Sequence, residues 1–172
     1  MKLVIFSDVH GKKTLLERIM RFNPDADNFL SLGDTEMTLD YLLDLDIIGV
    51  KGNYPRDPGL GYEHFMKFNG KKFMLTHGHK YGVQRSLKKL AKKAYQEDVD
   101  VVLYGHTHIA QALYCNELLL LNPGSVYRPR NHLNPSYCIM FIDKDGTITY
   151  EYRDSETNMV VEVEELKKQM KK

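Results

Sequence analysis

The sequence predicts an α/β fold of two stacked mixed sheets flanked by helices, in a single domain spanning residues 1–172. Three observations carry this expectation. The first half alternates short apolar runs with stretches at helical spacing. The second half is rich in strand patterns joined by tight turns. No linker, long repeat or low-complexity segment divides the chain, and 172 residues suit one hydrophobic core.

Val4-Ile5-Phe6 forms the first strand and runs into Asp8 and His10. Lys13 to Phe22 places Leu15, Leu16, Ile19, Met20 and Phe22 at helical spacing. Phe29 to Leu32 is a second strand, ending at Gly33-Asp34. Thr38 to Asp46, with Leu39, Leu42, Leu43 and Leu45, reads as a helix. The strand Ile47 to Val50 leads to Gly52-Asn53. Tyr54 to Tyr62 holds Pro55, Pro58, Gly59 and Gly61 without periodicity, so it is a loop, placed to form one rim of any site at these strand ends.

Phe65 to Phe68 and Lys72 to Thr76, split by Asn69-Gly70, predict a hairpin with a tight turn. Its second strand ends at Thr76-His77-Gly78-His79. Val83 to Glu97 predicts a helix whose apolar face is Val83, Leu87, Leu90, Ala91 and Ala94. Lys88, Lys89, Lys92 and Lys93 lie opposite, as a solvated stripe with no interleaved aromatics to stack bases. Val101 to Tyr104 is a strand ending at Gly105-His106-Thr107-His108. Ala110 to Tyr114, Leu118 to Leu121, Tyr137 to Ile142 and Thr147 to Tyr152 are further strands, with turns at Asn116-Glu117 and Asp145-Gly146. From about residue 155 the chain is peripheral, and the charged stretch Val163 to Lys172 reads as a short, frayed helix. The first sheet is expected mainly from the αβ half and the second mainly from the hairpins.

Composition narrows the function. Apolar residues make up 42% and charged residues 27%, ordinary for a water-soluble protein. The net charge of +1 gives no global field for nucleic acid or an anionic membrane. No apolar run approaches the ~20 residues of a membrane span. The first strand starts at once, without a basic region and cleavage site, so a cytoplasmic location is expected. Cys115 and Cys138 stand outside every motif and read as buried thiols.

Five apolar runs thus end in metal-binding side chains, and in α/β sheets ligands gather beyond the carboxyl ends of strands. Alone, each motif has a plain alternative. Asp8-x-His10 is a possible surface turn, Asp34 a helix cap, Asn53 a turn residue and His77 a core histidine. His106 and His108, two apart in an extended segment, are expected to point the same way. Taken together, Asp8, His10, Asp34, Asn53, His77, His106 and His108 form a set able to hold two divalent metals. Mixed carboxylate and imidazole donors suit manganese first, with nickel, zinc, iron or cobalt as alternatives, and are poor for calcium. Two such ions outweigh Asp8, Asp34 and a bridging hydroxide in charge, so the site would attract anions although the chain is nearly neutral. Closely spaced ions also acidify water and stabilise in-line displacement at phosphorus.

The ordered set Asp-x-His, Gly-Asp, Gly-Asn, His-Gly-His and Gly-His-x-His resembles that of the calcineurin-like metallophosphoesterases. The short chain and Asn122-Pro123-Gly124-Ser125 resemble more narrowly the small YfcE-like bacterial and archaeal phosphodiesterases. The resemblance covers Met1 to about Arg153. It implies a four-layer α/β/β/α sandwich and hydrolysis of small phosphodiesters by a metal-bridging hydroxide, with no covalent enzyme intermediate. It assigns Asp8, His10 and His108 to one metal, Asn53, His77 and His106 to the other, and Asp34 as the bridge.

The run Gly52-Asn53-Tyr54-Pro55-Arg56-Asp57 departs from the pattern, because many members follow Gly-Asn with a His or Cys and then an acid. His79 is the remaining candidate to protonate the leaving group, with a hydrogen-bonding role beside the metals as the alternative. Arg130, beyond the Asn122–Ser125 run, is the candidate to grip a substrate phosphate, with a structural ion pair as the alternative. Two other functions fit the same motifs: a phosphomonoesterase or nucleotidase, and a protein-binding scaffold like the retromer scaffold subunit, in which the metal site is degraded. Neither nucleic acid nor a membrane is the expected partner. Strand edges in the second half leave a homo-oligomer, dimer or tetramer, open.

Overall fold

The computed structural model describes residues 1–55, 59–130 and 134–168. Two six-stranded mixed sheets stack face to face. The strands are β1 (Lys2–Phe6), β2 (Asn28–Ser31), β3 (Ile47–Gly49), β4 (Glu63–Phe68), β5 (Lys71–Thr76), β6 (Val101–Tyr104), β7 (Ala110–Cys115), β8 (Leu118–Pro123), β9 (Ser136–Ile142), β10 (Ile148–Asp154), β11 (Val160–Val161) and β12 (Glu165–Lys168). The first sheet runs β11-β10-β9-β1-β2-β3 and the second β12-β7-β8-β6-β5-β4. Helices α1 (Lys13–Phe22) and α2 (Leu39–Asp44) belong with the first sheet, and α3 (Lys88–Gln96) with the second.

Strand alternation builds three apolar layers. Leu3 and Ile5 join Phe73, Leu75, Leu103 and Leu121 between the sheets. Val4 and Phe6, one residue out of phase, pack against Leu15, Leu16 and Ile19 of α1 and Leu42 of α2. Met74, Val102 and Leu120 meet Leu90, Ala91 and Ala94 of α3. The result is the expected α/β/β/α order. Both faces of the central strands are covered, which is why their sequences are continuous apolar runs. Cys115 and Cys138 are buried and unbridged. No helix among the described residues is long and apolar enough to cross a membrane.

Four expectations are corrected. The β9–β10 hairpin joins the first sheet, where β9 pairs antiparallel with β1. The helix expected over Val83 to Glu97 is present only as α3 from Lys88. Residues 82–86 instead form turns closed on the Gly82 carbonyl, and Ser86 Oγ accepts the Lys88 N–H at 3.2 Å. Val83 still fills the core, from a turn, so its burial matched a helical face without a helix. Val163 to Lys172 is not a helix where described. Glu165–Lys168 forms β12, parallel to β7, with Leu166 against the α3 layer. The open edge of β7 outweighs the helix preference of a charged segment.

The fourth correction concerns direction. The strands end at Thr76 and Tyr104, so His79, His106 and His108 are not in extended segments. Gly78, at φ +95°, turns the chain into a short 3-10 helix, His79–Tyr81. His106 and His108 have φ of +69° and +60°. Alternation therefore does not set where these imidazoles point.

Candidate metal centre

The donors collect beyond the carboxyl ends of β1, β2, β3, β5 and β6. Adjacent loops from the two strands β1 and β2 are sewn together: Asp8 N–H donates to Gly33 O, His10 N–H to Asp34 O and Gly11 N–H to Thr35 O. Asp8, His10, Asp34, His106 and His108 all have positive φ. Non-glycine residues in that region cost of order 1 kcal/mol or more each, and such strain concentrates at functional sites.

Two groups of donor atoms lie within 4.8 Å of one another, Asp8–His10–His108 and Asp8–Asp34–His77. Asp8 is fully buried and belongs to both. His108 Nε2 is 3.1 Å from Asp8 Oδ1, and His10 Nε2 is 4.0 Å from the same oxygen. Yet Asp8 Oδ1 and His10 Nε2 are buried without a hydrogen-bond partner among the described residues. Buried unsatisfied donors this close, without hydrogen-bond alignment, fit atoms aimed at a shared cation. His77 Nε2 lies 3.5 Å from Asp34 Oδ2 and 3.1 Å from Asn53 Oδ1.

Three imidazoles have the same arrangement. His10 Nδ1–H donates to Glu36 Oε1 at 2.7 Å, His77 Nδ1–H to Leu32 O at 2.6 Å and His108 Nδ1–H to Arg128 O at 2.7 Å. In the neutral ring this leaves the Nε2 lone pair facing the centre, as in histidine metal sites. His106 stands beside them, its ring 5.0 Å from that of His77, and its N–H donates to Asp8 Oδ2 at 3.2 Å. His79 packs 5.5 Å from His77 and 5.6 Å from Tyr62, with a buried Nδ1 that has no hydrogen-bond partner among the described residues.

The electrostatics follow from crowding. Burial opposes ionisation of Asp34, but His77 and the Tyr54 and Asn53 amides outweigh it and hold the carboxyl at about 2. Burial likewise opposes ionisation of Asp8, and His108 and His77 more than offset it. Burial would lower His77 and His108; contacts with Asp34 and Asp8 raise both instead. Burial, then the charge of His77, pushes His106 down to about 4 and lowers His79.

A cleft of about 390 Å³ opens on His10, Asp34, Asn53, His106 and His108, with Arg128, Pro129 and Arg130 on its rim. The seven expected metal donors are thus brought together, and Arg130 reaches the same cleft. Of the Tyr54 to Tyr62 loop, Tyr62 packs against His79 and is not among the residues lining the cleft; Asp57 lies outside the described residues.

Residues 1–145 match the model of the calcineurin-like phosphoesterase superfamily domain. The chain belongs to this superfamily. Among similar proteins, the "Probable metallophosphoesterase YsnB" of Bacillus subtilis is 30% identical over 167 residues, 96% of either chain. A predicted phosphoesterase of Streptococcus pneumoniae TIGR4 has a crystal structure similar at a TM-score of 0.80, with 29% identity and 90% of each chain covered. Vps29 of Entamoeba histolytica, complexed with zinc, gives a TM-score of 0.74 and 25% identity over 93% of this chain and 96% of that one. The superfamily is one of metal-dependent phosphoesterases, and this phosphoesterase chain has the donors to match.

Glu36 was not legible as a site residue. Its only signal is its place two residues after Asp34, and φ of +57° turns it back toward His10. Glu36→Ala is expected to weaken divalent-metal affinity about 10–100-fold, with Glu36→Gln between it and the native protein. Calorimetric titration of metal-stripped protein checks this; native affinity in Glu36→Ala would make the contact incidental.

Proposed function

We propose that this phosphoesterase hydrolyses small phosphodiesters at a centre of two divalent metals. The observation that carries the reading is the convergence of seven donors, five of them lining one cleft, with Asp8 Oδ1 and His10 Nε2 buried and unsatisfied among the described residues. Asp8, His10 and His108 would hold one ion, Asn53, His77 and His106 the other, with Asp34 between them; manganese fits this donor mixture. When bound, the ions supply an acidified water and neutralise charge developing at phosphorus. The chain's own residues do the rest. Glu36, Leu32 O and Arg128 O fix the imidazoles, so little reorganisation is needed. Arg130 offers a planar fork to the non-reacting phosphate oxygens. The cleft volume suits a phosphoryl group with two ester arms.

Tyr54 and Pro55 occupy the positions where many relatives carry the leaving-group acid, and His79 is the imidazole left for that task. Aryl phosphodiesters should therefore be cleaved far faster than alkyl ones, and His79→Ala should steepen the dependence. Rates measured across a series of leaving groups test this, and a flat dependence would sink it.

The likeness to zinc-bound Vps29 favours keeping one second reading, a metal-binding protein scaffold. One experiment separates the readings: hydrolysis of an aryl phosphodiester and the matching monoester by metal-stripped protein, with Mn, Ni, Zn or Mg added back singly. Metal-dependent diester turnover supports the proposal. Faster monoester turnover makes the protein a phosphomonoesterase, and tight metal binding without turnover makes it a scaffold.

A further inference from the structure

We infer that Lys12 and Arg128 form a second anion subsite beside the metal centre, so that the favoured substrate carries a second phosphate near the scissile one. The inference rests on the phosphodiesterase reading above and narrows its substrate class. Both cations sit over one aromatic ring: Lys12 Nζ is 4.4 Å and Arg128 Cζ 5.2 Å from the Tyr127 centroid. Both side chains and Tyr127 are exposed. Among the described residues, neither these two cations nor Arg130 lies within 4.0 Å of a carboxylate. In a chain of net charge +1, these three cations, Arg128 and Arg130 lining the cleft and Lys12 beside them at Tyr127, are a concentration of charge with no carboxylate partner among the described residues.

Their backbones are tied to the first metal group. Lys12 follows His10 by two residues. His108 Nδ1 donates to Arg128 O at 2.7 Å, while Arg130 N–H donates to His108 O at 3.0 Å. His108 thus holds the Arg128–Arg130 segment at both ends, through its imidazole and its backbone carbonyl, and both arginines line the cleft. Arg130 and the metals serve the scissile phosphate, leaving Lys12 and Arg128 for another anion. Tyr127 already carries the two cations, which places it as their platform, not as a stacking surface for a base. An Arg and a Lys with no carboxylate partner among the described residues together suit a phosphate: a fork and a point charge.

The test compares two substrates in the manganese-loaded full chain: thymidine 5′-(p-nitrophenyl phosphate) and the same compound with a 3′-phosphate. Scissile bond and leaving group are identical. The 3′-phosphate should lower KM about tenfold with kcat little changed. The ratio of the two KM values should fall toward one in Lys12→Ala and in Arg128→Ala; because it is read within each protein, general loss of activity cancels. Lys88→Ala, which removes the same charge from α3, should leave the ratio alone. A native ratio near one, a ratio that survives both rim substitutions, or an equal loss in Lys88→Ala would overturn the subsite. If neither compound is hydrolysed, the phosphodiesterase reading fails. Calorimetry with thymidine 3′,5′-bisphosphate against thymidine 5′-monophosphate then decides the subsite by the same affinity ratio and the same variants.

Discussion

Asp34→Asn is expected to lower kcat/KM by on the order of 10³-fold or more, with the fold intact. Asp34 Oδ1 accepts the N–H groups of Asn53 and Tyr54 at 2.8 and 2.9 Å, and Oδ2 faces His77. An asparagine oxygen can still accept the two amides. Its NH₂ group would then face the centre, where a charged carboxylate oxygen is needed. With a pKa of about 2, Asp34 is ionised at any pH where the protein would work, so the variant removes a full negative charge. Metal analysis should show fewer bound ions per chain, and the melting temperature of metal-free protein should change little. A variant that keeps its metal and a tenth of its rate would remove Asp34 from the centre.

Gly52→Ala is expected to be nearly as damaging, although glycine contributes no ligand. A Cβ at Gly52 would lie 2.0 Å from Asp34 Oδ1 and 2.4 Å from Asp34 N. The second of these is backbone, in a segment already strained at φ +48°, so it cannot swing aside. The carboxylate must leave its place. Misplaced by an ångström, it should cost on the order of 10²-fold in activity and about 1–3 kcal/mol in stability. Gly59→Ala is the control, since a Cβ there meets nothing within 4 Å. Full activity in Gly52→Ala would mean that Asp34 acts without its present position. Kinetics with a denaturant melt of both variants measure the two effects.

The layers and the donor set were legible because both depend on short-range rules. Continuous apolar runs marked strands covered on both faces, and α1 has the expected bounds. Asp and His at strand ends marked the centre because few folds place them there without use. Directions were not legible. The positive φ of His106 and His108 depends on the loops they meet, so alternation misplaced the reason for their convergence. Glu36 was missed because its contact with His10 joins two loops 26 positions apart. The α3 start and β12 were misread where a turn or a neighbouring strand edge offered better hydrogen bonds than helix propensity did.

The seam between the sheets runs through the centre. Asp8, Asp34 and Asn53 follow strands of one sheet, while His77 and His106 follow strands of the other. His77 Nδ1–H already stitches across by bonding Leu32 O. Bound ions would therefore rivet two halves that otherwise adhere through the apolar layer between the sheets and a few hydrogen bonds across it. At a free ion concentration a hundredfold above Kd, the rivet adds about 2.7 kcal/mol to the folded state. Metal supply then governs how long the chain survives in a protease-rich setting as well as how fast it works.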